Sequence, residues 1–194
     1  MERHLFYFLA LCLLILAPRM APAQERDDLL SRYRLGSGDV ISIYVLGEDE
    51  LKREKVRLTD AGTIQYAVLG EMRIMGLTLG ELEQRITSGL KNGKYLIDPK
   101  VVVSIDEYRP FFINGEVYKP GGYPYVPGLT VLKAVSLAGG FKDRASKTNI
   151  FVVRDGDSKT APTGRPKVEL AREKVELNAP IYPGDILIIE ASFF

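Results

Sequence analysis

The apolar residues of this chain switch between two periods, and that alternation restricts the possible folds more than any other feature. Two segments have helical spacing, while the remaining apolar residues form short runs bounded by Gly, Pro and Asp, which is typical of strands and turns. The helical sets are Leu79, Leu82, Ile86 and Leu90, and Val131, Leu132, Val135 and Ala138. The predicted strands are 40–45, 55–59, 63–66, 101–105, 111–117, 149–154, 168–170 and 186–189, with a turn at 120–123. We therefore predict an α+β protein with two small β-rich lobes that each pack one helix.

Both predicted helices carry terminal signals. Thr78 and Glu81 have the spacing of a capping box, in which the hydroxyl and the carboxylate each accept a free backbone amide. Thr130 is expected to cap the second helix. The helices are expected to end at Asn92-Gly93 and at Gly139-Gly140.

The predicted hinge between the lobes is 108–110, because Pro110 interrupts strand pairing. The predicted domains are therefore 33–108 and 110–194. Two short internal sequence similarities support this division. Residues 38–43 and 184–189 each place Gly-Asp before an apolar strand, and 76–79 resembles 128–131. These similarities fit either a duplicated sheet-plus-helix unit or the same turn chemistry used twice.

Residues 1–23 are predicted to be a signal peptide, followed by a charged lead-in at 24–32. An apolar run at 5–17 follows a basic start, and Ala21-Pro22-Ala23 provides a small-residue cleavage site before Gln24. Cys12 lies inside the apolar run, so we expect no lipid on it. An uncleaved anchor is the alternative interpretation. The prediction is an exported protein.

The composition restricts the chemistry of the exported part. The chain has one histidine and one cysteine, His4 and Cys12, and both lie in the predicted signal peptide. Removing it leaves no thiol nucleophile, imidazole base, His–Cys metal site or disulfide. With 26 basic and 25 acidic residues the net charge is +1, which argues against a nucleic-acid partner. No catalytic, cofactor-binding or metal-binding residues are predicted, and we do not expect an enzyme.

The carboxylates that deserve inspection are Asp39 and Asp185, because each follows a glycine at the start of an apolar strand. A catalytic carboxylate is one interpretation. The favoured one is structural, with the side chain accepting backbone N–H groups of its own turn. The acidic cluster at 48–50 lacks the alternation of a calcium loop and is predicted to be solvated.

An ordered series of motifs resembles a known family. In the first lobe it comprises 33–41, 60–64, 69–70, 76–78, 95–99 and 101–103, and these resemble the polysaccharide biosynthesis and export domain. In the second lobe it comprises 113–117, 120–123, 129–131, 138–140 and 183–185, and these resemble a soluble-ligand-binding β-grasp domain. The chain is thereby identified as a member of the outer-membrane polysaccharide export proteins of Gram-negative bacteria.

The resemblance implies a component of a capsular or exopolysaccharide export translocon, located in the periplasm and peripheral to the outer membrane. Such a protein forms or joins a homo-oligomeric ring that passes a polysaccharide chain outward. Two departures from the family pattern, the absence of a lipidated N-terminal cysteine and of a C-terminal spanning helix after the last strand, lead us to expect that a separate outer-membrane barrel supplies the pore. An inner-membrane polysaccharide co-polymerase is the other expected partner. A monomeric periplasmic carbohydrate-binding module is the alternative.

Tyrosines suit both hypotheses, because their rings present an apolar face and a hydroxyl to a sugar or to another subunit. The residues predicted to contact a neighbouring subunit or the polysaccharide lie in the second lobe. They are Gly115, Glu116, Val117, Tyr118, Tyr123 and Tyr125.

Overall fold

The computed structural model describes residues 33–154 and 172–192, which belong to one compact unit. The predicted signal peptide, the lead-in and the strand at 168–170 lie outside the described residues. The strands are β1 (Val40–Val45), β2 (Arg53–Arg57), β3 (Thr63–Tyr66), β4 (Gly70–Arg73), β5 (Val101–Glu107), β6 (Phe111–Gly115), β7 (Gly121–Tyr123), β8 (Ala145–Val153), β9 (Arg172–Lys174) and β10 (Ile186–Ala191). The helices are α1 (Leu79–Asn92) and α2 (Val131–Leu137). The α+β prediction is confirmed.

The first lobe contains a three-stranded antiparallel sheet in the order β2-β1-β5 and a separate β3-β4 hairpin. In strand β1 the apolar residues Ile41, Ile43 and Val45 are buried, and so is Val40. The first three share a hydrophobic core with the inner face of α1, formed by Leu82, Ile86 and Leu90. Ser42 is buried as well, and Tyr44 is the exposed residue of this strand.

Helix α1 begins and ends where the sequence predicts, at Leu79 and Asn92. The Thr78 hydroxyl accepts from the Glu81 amide at 3.2 Å, and the Glu81 carboxylate accepts from the Thr78 amide at 2.8 Å. The capping box is therefore confirmed. At the other end Gly93 stays right-handed, and Lys94 takes the left-handed conformation with φ of 58°. The amide of Tyr95 then reaches the carbonyl of Leu90 at 3.0 Å, which closes the helix as in a Schellman motif.

The second lobe is a five-stranded mixed sheet in the order β7-β6-β10-β8-β9. Its central strands β6 and β10 are parallel and the other pairs are antiparallel. Helix α2, which follows β7 in the chain, packs on one face, where Phe111, Ile113, Leu187 and Ile189 form part of a second hydrophobic core. A parallel pair made by the first and last strands, with a helix after the first hairpin, is the β-grasp arrangement expected for this lobe.

Sequence patterns located the buried strands better than the exposed ones. Residues 120–123, predicted as a turn, contain the short strand β7. Strands β4 and β9 were not predicted, because β4 buries only Met72 and β9 buries no side chain. These two strands form by hydrogen bonding to a neighbouring strand, so their sequences show no hydrophobic period. Across residues 33–154 and 172–192, neither helix has the length and apolar character that a membrane crossing needs.

Candidate functional site

The predicted contact segment at 115–118 divides between surface and core. Tyr118 is 58% exposed and can meet a partner directly. Val117 is fully buried in the core of the second lobe, so its side chain is not available at the surface. Gly115, at the end of β6, has a φ of +95°, and a Cβ there would meet the Ile189 carbonyl group of β10. The conformation and the close approach both require glycine.

The other two tyrosines predicted to contact a partner, Tyr123 and Tyr125, pack partly against neighbouring side chains. The ring of Tyr123 lies 6.0 Å from that of Phe111, and its hydroxyl donates to the Lys119 carbonyl at 2.6 Å. The ring of Tyr125 meets Tyr108 edge-on at 5.3 Å, and burial raises the pKa of its hydroxyl. A charge introduced at Tyr125 would therefore disturb this packing. Tyr118 is the better position for testing an interface, and contacts through all these residues stay predictions.

The predicted hinge at 108–110 is fastened to the first lobe by a buried carboxylate. Asp39 is 0% exposed, and its Oδ1 accepts the backbone amide of Arg109 at 2.8 Å. Its Oδ2 accepts the Gly36 amide at 2.8 Å and lies 3.2 Å from Nη1 of Arg109. The Tyr33 hydroxyl donates to the same carboxylate and accepts from the Arg109 guanidinium at 2.8 Å. We call Tyr33, Asp39 and Arg109 the Asp39 clamp.

A row of aromatic rings continues the Asp39 clamp into the second lobe. Tyr33 meets Tyr108 edge-on at 5.2 Å, and Tyr108 meets Tyr125 in the same way. Burial raises the pKa of the Tyr33 hydroxyl far above its ordinary value, and the neighbouring Asp39 carboxylate raises it further. The hydroxyl therefore stays protonated and remains a donor to Asp39. The segment at 108–110 is thereby held to the first lobe, and its role as the boundary between two domains stays a prediction.

The second Gly-Asp turn repeats the geometry of the first. The Asp185 carboxylate accepts the Tyr182 amide at 2.8 Å, just as Asp39 accepts the amide three residues before it. The preceding glycines, Gly38 and Gly184, have φ of 92° and 86°. Asp185 is also buried, and it pairs with Arg154. The structural interpretation of both aspartates is confirmed.

The arginines of these two pairs were missed by the sequence analysis. Arg109 pairs with an aspartate 70 positions earlier, and Arg154 with one 31 positions later. The guanidinium of Arg109 also lies 5.6 Å from the ring of Tyr33, and that of Arg154 lies 5.0 Å from the ring of Tyr182. No local pattern indicates such partners, because the sheets bring them together.

The acidic cluster at 48–50 has the surface character expected of a solvated loop, with Asp49 and Glu50 exposed in a single 3-10 turn. Throughout the described ranges, no group of three or more acidic, histidine or cysteine side chains is arranged to hold a metal ion.

Two family models match the chain. The polysaccharide biosynthesis/export protein model matches residues 28–106, and the SLBB domain model matches residues 110–163. Together they cover more than half of the chain, in the order expected from the motifs. The chain belongs to the polysaccharide export protein family.

Named relatives agree with this assignment. The chain is 40% identical over 83 residues to the exopolysaccharide production protein ExoF of Rhizobium meliloti, a match that covers 42% of the chain and 20% of the relative. It is 28% identical over 160 residues to the EPS I polysaccharide export outer membrane protein EpsA of Ralstonia solanacearum, covering 67% of the chain and 42% of the relative. EpsA of Ralstonia nicotianae is 28% identical over 134 residues, covering 56% and 34%. The chain therefore spans less than half the length of each of these relatives.

Proposed function

We propose that this protein is a periplasmic component of a capsular or exopolysaccharide export translocon, peripheral to the outer membrane, where it forms or joins an oligomeric ring around the polymer. Membership of the polysaccharide export family supports the export role. The names of the relatives refer to exopolysaccharide production and to polysaccharide export at the outer membrane. An inner-membrane polysaccharide co-polymerase and a separate outer-membrane barrel are the partners we propose.

The observation that carries the ring proposal is the Asp39 clamp. A cyclic oligomer closes only when the two contact surfaces of each subunit hold a fixed angle. The buried pair between Asp39 and Arg109 joins the first sheet to the segment that enters β6. A subunit built this way can present both lobes to its neighbours at a constant angle.

A ring also suits the transport of a polymer. A polysaccharide in transit has to slide, and tight binding to any one subunit would stop it. Many weak contacts repeated around a ring guide the chain without trapping it. We expect a single subunit to bind free oligosaccharide with a dissociation constant of about 1 mM or weaker, which corresponds to about 4 kcal/mol.

Tyr118 provides the experiment, because it is exposed and belongs to the predicted contact segment. Three forms of the protein are expressed in a strain that lacks the gene: the unmodified full chain, Tyr118→Asp and the matched control Tyr118→Phe. They are compared by crosslinking in cells and by staining of surface polysaccharide. We expect oligomers and normal export for the full chain and the control, and loss of both for Tyr118→Asp. The melting temperature of Tyr118→Asp should stay near that of the full chain.

A purely monomeric protein in cells that export normally would contradict the ring proposal. If such a monomer bound oligosaccharide at micromolar concentration, the carbohydrate-binding module would be the correct function instead. Normal secretion in the strain without the gene would contradict the role in export itself.

A further inference from the structure

The sheet of the first lobe has a second face that the core does not use. Strands β1 and β5 pair in a register that sets Ser42 opposite Ser104 and Tyr44 opposite Val102. These residues alternate with the core residues of both strands, so they lie on the side away from α1. We call this surface the outer face. It consists of Ser42, Tyr44, Glu54, Val102, Ser104 and Asp106.

An aromatic ring is held in place on the outer face. Tyr44 is 38% exposed, and its hydroxyl donates to Glu54 at 3.2 Å. The Lys52 ammonium lies 5.4 Å from the centre of the ring and 2.8 Å from the Glu54 carboxylate. The hydrogen bond from Lys52 lowers the pKa of the Glu54 carboxyl, so this carboxylate stays ionised beside the ring. Two contacts therefore fix the position of an exposed tyrosine.

A bulge in β2 shapes the same surface. The pairing of β1 with β2 shifts between Ile41 and Ile43, and Lys55 at this point has a φ of 51°, which is unusual for a residue other than glycine. The Lys55 amide donates to the Ser42 hydroxyl at 3.1 Å, and that hydroxyl donates to Asp106. Bulges and strained residues of this kind are frequent beside binding sites, where they re-aim side chains.

We infer that the outer face is a carbohydrate-binding surface, in which the Tyr44 ring takes the apolar face of a pyranose and Glu54, Asp106 and Ser104 hydrogen-bond its hydroxyls. One face of a pyranose carries mainly C–H groups, which suit a flat aromatic ring. Its hydroxyls lie around the rim, where ionised carboxylates make the stronger hydrogen bonds. This inference rests on the proposed function for the ligand class and adds the surface that contacts it.

The test is an NMR titration of the full ¹⁵N-labelled chain with short oligosaccharides, prepared by partial hydrolysis of the polysaccharide that the host strain secretes. We expect concentration-dependent shifts at the amides of Tyr44, Val102 and Ser104. Tyr44→Ala should weaken binding by about tenfold, or about 1.4 kcal/mol. Tyr44→Phe keeps the ring and should stay within about twofold, a difference near 0.4 kcal/mol. Tyr118→Ala, which removes an exposed tyrosine of the second lobe, should bind normally.

Unchanged binding by Tyr44→Ala, shifts confined to the second lobe, or no binding by the full chain would each overturn the inference. These outcomes leave the export role intact, because that role is decided by secretion from the strain without the gene. Conversely, normal secretion from that strain together with binding at Tyr44 would contradict the proposed function and leave the carbohydrate surface standing.

Discussion

Replacing Arg109 by methionine tests how firmly the Asp39 clamp joins the two lobes. The substitution removes the guanidinium and keeps an unbranched apolar stem, so most packing of the chain segment survives. Asp39 remains fully buried and loses the guanidinium that pairs with it at 3.2 Å. Leaving one member of a buried ion pair without the other costs about 3–5 kcal/mol.

The structure places the expected cost at the lower end of that range. The backbone amides of Gly36 and of residue 109 still donate to Asp39, and so does the Tyr33 hydroxyl. We therefore expect Arg109→Met to lower the free energy of unfolding by about 3 kcal/mol. In a chain of this size that corresponds to a fall in Tm of about 6–12 °C.

Arg57→Met is the matched control, because Arg57 pairs with Glu107 at 2.9 Å with both side chains more than 60% exposed. Exposed pairs contribute about 1 kcal/mol or less, so the control should lose no more than about 4 °C. Calorimetry measures the Tm of both variants. Separate unfolding transitions for the two lobes in Arg109→Met would show that the clamp also couples their unfolding. An equal fall in Tm in the two variants would refute the argument from burial.

Three further predictions concern single positions. Thr78→Ala removes the capping hydroxyl of α1 and should lower the free energy of unfolding by about 1 kcal/mol in urea titration, without an effect on export. Tyr33 has a raised pKa in the folded state, so its contribution to stability is present below about pH 10 and is lost as the pH rises further. Urea titrations between pH 9 and about 11.5 should therefore show a decline that is shallower in Tyr33→Phe. Gly115→Ala adds a Cβ against the Ile189 carbonyl at a positive φ and should cost about 3 kcal/mol or more, whereas Gly47→Ala, at a positive φ in open space, should cost about 1 kcal/mol. Equal costs at the two glycines would show that the contact with β10 is unimportant.

The local parts of the structure could be predicted because their causes are local. The helical period of Leu82, Ile86 and Leu90 places α1, and Thr78 with Glu81 fixes its start, since capping groups lie three residues apart. The Gly-Asp turns at Asp39 and Asp185 were interpreted correctly for the same reason, because each carboxylate accepts an amide of its own turn.

The candidate site was predicted less well, because exposure depends on what packs against a residue. The sequence singled out tyrosines as a class, yet nothing local distinguishes Tyr125, which packs against Tyr108, from Tyr118, which is exposed. Val117 was expected at a contact surface and is buried in the core. The sequence did not predict Tyr44 as a site residue, because its partner Glu54 comes from a neighbouring strand with a bulge.

The sequence by itself determined the α+β class, the positions of both helices, the two Gly-Asp turns and the family. These depend on period, on capping and on ordered motifs, all of which act over a few residues along the chain. Only the tertiary structure decided that the segment at 108–110 is fastened rather than loose. Asp39 and Arg109 are 70 positions apart, and a buried carboxylate acquires a distant cation only when folded sheets bring the two within reach.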